Sequence, residues 1–290
     1  MRAVRFHAYG EPGVLTVEDV PEPHAGPHEV RIRVAATSVN PIDWKIRAGH
    51  LAEAVPTPLP AIPGADAAGV VDEVGDQVSG VRAGDRVFGL THAGAAEFAV
   101  LPFSARLPGT WSFEQGAAAG LVSVTAMAGL EALGELTGRT LLVEGAAGGV
   151  GSAAVQIAVA RGARVIGRAR PEHHDYLRTL GASPVAYGET PDGIELALDT
   201  AGAGTLAALI ALTGDAARVA TVADYTAAAL GVTLAEPLAN AAAHLAEVSW
   251  LGQSGDYTPR VEASYPLEKI ADAHAHVERG HRHGKIVVIV

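Results

Sequence analysis

The chain has 290 residues, of which 49% are hydrophobic, with 34 glycines and no cysteine, and its 21 Lys and Arg against 32 Asp and Glu leave a formal charge of −11. A sizeable core is therefore available to one large domain or two ordinary ones, whereas disulfides, thiol nucleophiles and cysteine-ligated zinc or iron–sulfur sites are excluded by residue type. An acidic balance with no basic block argues against a nucleic-acid surface and gives no lever for an anionic membrane, so any anion must be bound locally.

The N-terminus, Met1 to His7, has no apolar core of signal-peptide length. The longest uncharged stretches, Gln115 to Leu130 and Thr200 to Gly214, fall short of the roughly 18 apolar residues that a membrane span needs. A cytoplasmic protein is expected. Residues 1–118 are dense in short β-branched runs cut by Gly and Pro: Val14 to Val17, Val30 to Val34, Gly69 to Val74, Asp85 to Phe88 and Phe98 to Val100. That texture predicts a small distorted β-barrel.

From Phe113 the texture changes to long Ala, Leu and Val helices alternating with strands, beginning with a helix over Glu114 to Leu133. Strands are predicted at Leu141 to Val143, Val165 to Ile166, Leu196 to Leu198 and Arg218 to Val222, as a doubly wound parallel sheet requires. The domains expected are therefore 1–118 and 119–255. A final segment, 256–290, carries a helix with Ile270, Ala273, His274 and Val277 on one face and a last strand after Gly284, and it is expected to complete the first domain.

The most informative stretch is Leu141 to Gly151, an apolar run that breaks into Gly145-Ala146-Ala147-Gly148-Gly149-Val150-Gly151 and then into a helix. Small residues crowd such a turn because a diphosphate must approach the backbone, and the helix N-terminus offers it free N–H groups. Ala147, Gly148, Gly149 and Val150 are thus the expected cradle of a dinucleotide. Ala146 stands where the Gly-x-Gly-x-x-Gly pattern has its first glycine, but a strand before and a βαβ unit after support the reading. An NAD site carries an acid about 20 positions beyond the glycines. This chain has Arg168 and Arg170 there, with His173 and His174 close behind, so NADP is favoured. Asp199 and Val222, at the ends of later strands, are expected at the same crevice.

In order along nearly the whole chain stand Ser38-Val39-Asn40-Pro41-Ile42-Asp43-Trp44-Lys45-Ile46-Arg47-Ala48-Gly49, Pro63 to Val71, Gly84 to Gly89, the cradle, Leu180-Gly181-Ala182 with Tyr187 behind it, and Gly280 to Val290. This set resembles the medium-chain dehydrogenase/reductase superfamily in its zinc-independent, quinone oxidoreductase-like branch. The resemblance implies an α/β fold: a GroES-like β-barrel catalytic domain, a Rossmann doubly wound parallel sheet, and an active-site cleft between them. Zinc-dependent relatives carry Cys near Asn40 and Gly-His-Glu where this chain has Gly64-Ala65-Asp66, so no metal is expected.

The resemblance places Asn40 near the nicotinamide, Thr125 in the same pocket, and Tyr187 with Arg168, Arg170 and His174 near the 2′-phosphate. Lys45 departs from a tyrosine found in several bacterial relatives, and it could donate a proton, orient substrate or point to solvent. Asp43 could tune Lys45, bond to ribose, or simply serve the turn after Pro41. The implied activity is NADPH-dependent, metal-free hydride transfer to a small-molecule quinone or α,β-unsaturated carbonyl of the enoyl reductase type. The alternative is a catalytically idle NADPH-binding redox sensor or structural partner. Relatives often form homodimers through the Rossmann domain, and Leu245 to Leu251 is the edge strand expected to join two copies. The pairs His274-x-His276 and His281-x-His283 resemble metal ligands but diverge when two residues apart on a helix. Trp44, Trp111 and Trp250 are read as core or cleft-wall residues.

Overall fold

Alternation of side chains builds the first sheet. Val30, Ile32 and Val34 are buried while Arg31 and Arg33 turn outward, the period of two that a strand imposes. The two guanidiniums stand over the Phe98 ring at 5.0 and 5.3 Å. In the computed structural model, which describes residues 1–280 and 283–290, the chain forms two units: Met1–Leu121 with Pro259–Val290, and Val122–Thr258.

In chain order the first unit holds β1 (Arg2–Arg5), β2 (Thr16–Asp19), β3 (Val30–Val39), helix α1 (Pro41–Arg47), β4 (Asp66–Val74), β5 (Arg86–Leu90), β6 (Phe98–Leu101) and β7 (Phe103–Arg106). Helix α2 (Phe113–Ala132) contains the division. The second unit holds β8 (Thr140–Glu144), α3 (Gly149–Ala160), β9 (Arg164–Arg168), α4 (His174–Thr179), β10 (Ser183–Val185), β11 (Leu196–Asp199), α5 (Leu206–Thr213), β12 (Val219–Thr221), β13 (Thr233–Leu234) and α6 (Ala241–Ser254). The chain then returns to the first unit with β14 (Val261–Pro266), α7 (Ile270–Glu278) and β15 (Lys285–Ile289).

The first unit is a largely antiparallel sheet in the order β14-β15-β3-β4-β5-β7, with β6 also on β3 and a β1-β2 pair beside it. Strand β15 lies antiparallel to β3, with Ile286 opposite Val39. Helix α7 covers it with Ile270, Ala273 and Val277, which share one core with Phe6, Val39 and Val288. This is the GroES-like half of the fold.

The second unit is a wholly parallel sheet in the order β10-β9-β8-β11-β12-β13. Counted from β8, that is 3-2-1-4-5-6, the Rossmann order, whose direction reverses beside β8. Leu141, Leu142 and Val143 are fully buried, as a central parallel strand covered on both faces must be. Among the described residues no helix is long and apolar enough to cross a membrane.

Three expectations from sequence fail here. Leu245 to Leu251 is not an edge strand but part of helix α6, where Leu245, Val248 and Leu251 recur on the buried face at helical spacing. The edge strands of the parallel sheet are instead the three-residue β10 and the two-residue β13. Trp250 belongs to no core, because it lies on the outer face of α6 and is 65% exposed. The first strand expected, Val14 to Val17, is cut by a 3-10 turn at Pro12–Val14 and begins only at Thr16.

Candidate active site

In the second unit the cradle follows directly from β8. Gly145 sits at φ +76°, a backbone state that side chains with a Cβ rarely adopt, and it turns the chain away from the sheet. Gly148 is the N-cap of α3, so no side chain satisfies the helix start, and Ser152 makes the first return bond to its carbonyl at 2.9 Å. A Cβ on Gly151 would stand 2.2 Å from the Gly145 carbonyl oxygen, so the close approach of helix to strand depends on that glycine. The N–H groups of Gly149 and Val150 thus open the helix without intrahelical partners, as an anion site at a helix start requires. Ala147 to Val150 lie together here as expected.

At the end of the neighbouring strand, Arg168 is opposite Glu144 in the parallel register. Its guanidinium is 7% exposed as a residue and donates from Nη1 to Glu144 Oε2 at 2.8 Å and from Nη2 to the Glu189 carbonyl at 3.0 Å. Its buried Nε–H has no hydrogen-bond partner among the described residues. Arg168 stands at the strand end as expected of a cation there, but two of its five N–H groups are already committed within the fold. Burial raises the Glu144 carboxyl above its usual range, and Arg168 opposes the shift. Arg170 is half-exposed, 4.0 Å from Glu172, while the His174 Nε2 lies 3.2 Å from the Ala169 carbonyl oxygen. Tyr187 is 52% exposed, and burial together with the Glu144 charge raises its phenol. Glu144, Arg168, Arg170 and Tyr187 therefore share one electrostatic neighbourhood.

Asp199 is not available to a cofactor. Its Oδ1 accepts from the backbone N–H groups of Ala201 and Gly202 at 3.0 and 3.1 Å, and its Oδ2 from the Thr221 hydroxyl at 2.8 Å. It holds the β11 turn, because a fully buried carboxylate must satisfy its lone pairs locally. Val222 follows β12, and Thr125 is buried on α2.

The first unit contains a second cluster, centred on Asp66 at the start of β4, which is fully buried. Asp66 Oδ1 accepts from the Ser38 backbone N–H at 3.1 Å and hydroxyl at 2.6 Å, and Oδ2 from Asn40 Nδ2 and the Leu121 N–H, both at 3.1 Å. On the other side Lys285, 3% exposed, donates from Nζ to Asn40 Oδ1 and to the Val39 carbonyl. A lysine only donates and a carboxylate only accepts, so the two fix which end of the Asn40 amide faces which partner. Asn40 is thus a clamped group, with its remaining N–H weakly held by Ser38 Oγ at 3.4 Å.

Asp43 pairs neither with Lys45 nor with solvent. As the third residue of α1 it returns to the N-cap, where its Oδ2 accepts from the Asn40 N–H at 2.6 Å. Lys45 is half-buried further along α1, with Nζ 6.0 Å from the Trp44 ring centroid, and it forms no ion pair among the described residues. Sequence reasoning missed Asp66 and Lys285 as site residues. The available signal was a charge at the head of each apolar strand, Asp66 before Ala67-Ala68 and Lys285 before Ile286-Val287-Val288.

The Asp43 carboxyl is pushed up to about 7, by burial first and the Asp66 charge second. Below about pH 4 the folded and unfolded chains both hold that proton. As pH rises from there to about 7 the unfolded chain releases it first, so the fold loses stability across that window. Asp43→Asn, which still accepts from Asn40 but cannot ionise, is expected to gain stability relative to the parent between about pH 5 and pH 8. Urea denaturation at both values checks this, and a constant difference between the two proteins would count against it.

The histidine pair on α7 diverges: His274 is buried and driven down to about 3 by burial and the Arg47 charge, whereas His276 bonds to the Tyr265 hydroxyl at 2.9 Å. His281 lies outside the described residues. Among the described residues no three His, Asp or Glu side chains converge as metal ligands.

Residues 26–135 match the Alcohol dehydrogenase GroES-like domain, and residues 175–288 match the Zinc-binding dehydrogenase family. The chain is 32% identical over 327 aligned positions to a mouse (Mus musculus) quinone oxidoreductase, covering 100% of this chain and 98% of that protein. It is 31% identical to a 2-methylene-furan-3-one reductase of Solanum lycopersicum, covering 99% of this chain and 79% of that protein. Its fold superposes on that of a mycobacterial protein complexed with NADPH with a TM-score of 0.84 at 28% identity, covering 100% of both chains.

Proposed function

The chain belongs to the zinc-independent, quinone oxidoreductase branch of the medium-chain dehydrogenase/reductase superfamily, and from that premise we propose that it is a metal-free, NADPH-dependent reductase of quinones or α,β-unsaturated carbonyls. The observation that carries the cofactor reading is the Arg168 guanidinium at the end of β9, whose buried Nε–H has no partner among the described residues, where a Rossmann domain reads the ribose 2′ group. The NADPH complex of the mycobacterial neighbour supports the same nucleotide. The reductase named for a methylene-furanone in tomato supports the enone side of the substrate class, and the mouse relative the quinone side.

A bound nicotinamide would supply the hydride. In this reading the N–H groups of Gly149 and Val150 hold the diphosphate, Arg168, Arg170 and Tyr187 hold the 2′-phosphate, and Thr125, His174 and Val222 line the nucleotide. As the acceptor carbonyl gains negative charge, it would accept from the remaining Asn40 N–H in place of the weak contact with Ser38. Asp66 and Lys285 keep that amide from rotating, so the donor is pre-oriented. Lys45 adds positive charge and a proton source.

The test is NADPH consumption by purified protein, with chelator present and oxygen excluded, against quinones and simple enones with product identification. Turnover under chelator supports metal-free hydride transfer, and the preferred acceptor separates quinone from enoyl reduction. Tight NADPH binding with no turnover would favour a binding role instead. Lys45→Ala is expected to lower kcat with an enone about tenfold or more while the Kd for NADPH stays within about twofold. Equal turnover in variant and parent would remove Lys45 from the mechanism.

A further inference from the structure

We propose that Glu144 is a specificity-determining residue: by pairing with Arg168 it holds the 2′ subsite near neutrality and so limits the preference for NADPH over NADH. This rests on the nicotinamide reading given above. The two residues end adjacent parallel strands and face each other in register. Both are buried, with Glu144 1% exposed, and Nη1 and Oε2 are 2.8 Å apart.

The guanidinium is held at both ends, by Glu144 through Nη1 and by the Glu189 carbonyl through Nη2, which occupies two of its five N–H groups; among the described residues its buried Nε–H has no partner. A 2′-phosphate drawn to this guanidinium also meets the Glu144 charge that Nη1 already holds at 2.8 Å. The pair contributes one positive and one negative charge, so a dianionic phosphate gains a directed hydrogen bond but little net attraction. Among the described residues half-exposed Arg170 is the further cation of this neighbourhood, and it is itself paired at 4.0 Å with exposed Glu172. The neutral 2′-hydroxyl of NADH feels none of this repulsion. Glu144 is therefore a constraint on one nucleotide and nearly indifferent to the other.

The experiment measures dissociation constants for NADPH and NADH by the fluorescence of the bound reduced nicotinamide, with no acceptor present. In E144Q the amide oxygen still accepts from Arg168 while the charge is gone. NADPH is expected to bind about tenfold tighter, with NADH within about twofold of the parent. Higher salt should shrink the gain. E144M, neutral and of similar length, is a second variant that tests the same point should E144Q fold poorly. E144Q/R168Q restores the parent's charge count with a neutral pair and should lose the gain.

A ratio of constants unmoved in both neutral variants, or a gain that survives in E144Q/R168Q, would overturn the assignment of Glu144 and leave the cofactor reading standing. A parent that binds neither nucleotide would overturn both.

Discussion

Arg168→Ala is expected to destabilise the protein by about 3–5 kcal/mol, far more than the loss of a surface cation, whose ion pairs are worth about 0–1 kcal/mol. The reason is the partner left behind. Glu144 is buried at the end of a central strand, and without Arg168 its carboxylate has no cation to offset the loss of water. Arg168→Ala therefore tests two things at once, and loss of NADPH binding in it cannot be credited to phosphate recognition alone. Chemical denaturation of Arg168→Ala beside E144Q/R168Q separates them: the double variant is expected to recover most of the lost stability, because no charge remains buried. A loss below about 1 kcal/mol in Arg168→Ala would mean that the pair is solvated in practice.

Lys285→Met is expected to have the second large effect, about 3–5 kcal/mol in stability and about a hundredfold in turnover. The lysine is the cation within a cluster that also buries Asp66 and Asp43, and its charge draws the Asp43 carboxyl downward. Removing it leaves two carboxylates facing each other and leaves the Asn40 carbonyl without its donor. The amide can then flip, exchanging a donor for an acceptor where the substrate oxygen would bind. Lys285 is a positioning residue in this account. The readouts are kcat/KM against the Kd for NADPH, which should hold within about threefold, and the pH profile of stability, whose fall should move to higher pH as Asp43 retains its proton longer. An unmoved pH profile with normal turnover would place Lys285 outside the site.

Much of the fold, and the glycine turn and strand-end cations of the candidate site, are legible from the residues alone. The cradle is a local code: an apolar strand, a glycine that must adopt positive φ, a glycine that permits close packing, and a helix start with no side-chain cap are all contiguous. Arg168 and Arg170 are legible as strand-end cations for the same reason. What local pattern does not carry is the occupation of those cations. Glu144 stands one residue before Gly145, yet its effect on Arg168 depends on strand register. Leu245 to Leu251 misleads because a short apolar run fits either period, and the face that packs inward decides between them.

The sequence by itself determined the architecture, the glycine turn that is proposed to cradle a dinucleotide and the exclusion of cysteine-based chemistry, because residue type, period and glycine placement act over a few neighbouring positions. Only the tertiary structure decided which polar groups are already satisfied. It clamped Asn40 between Asp66 and Lys285 and set Glu144 against Arg168. Each of these is a pairing within the buried interior of one unit, made by segments that are mostly remote in the chain. Burial forces such groups to find partners, and which partner is in reach is a property of the packed fold.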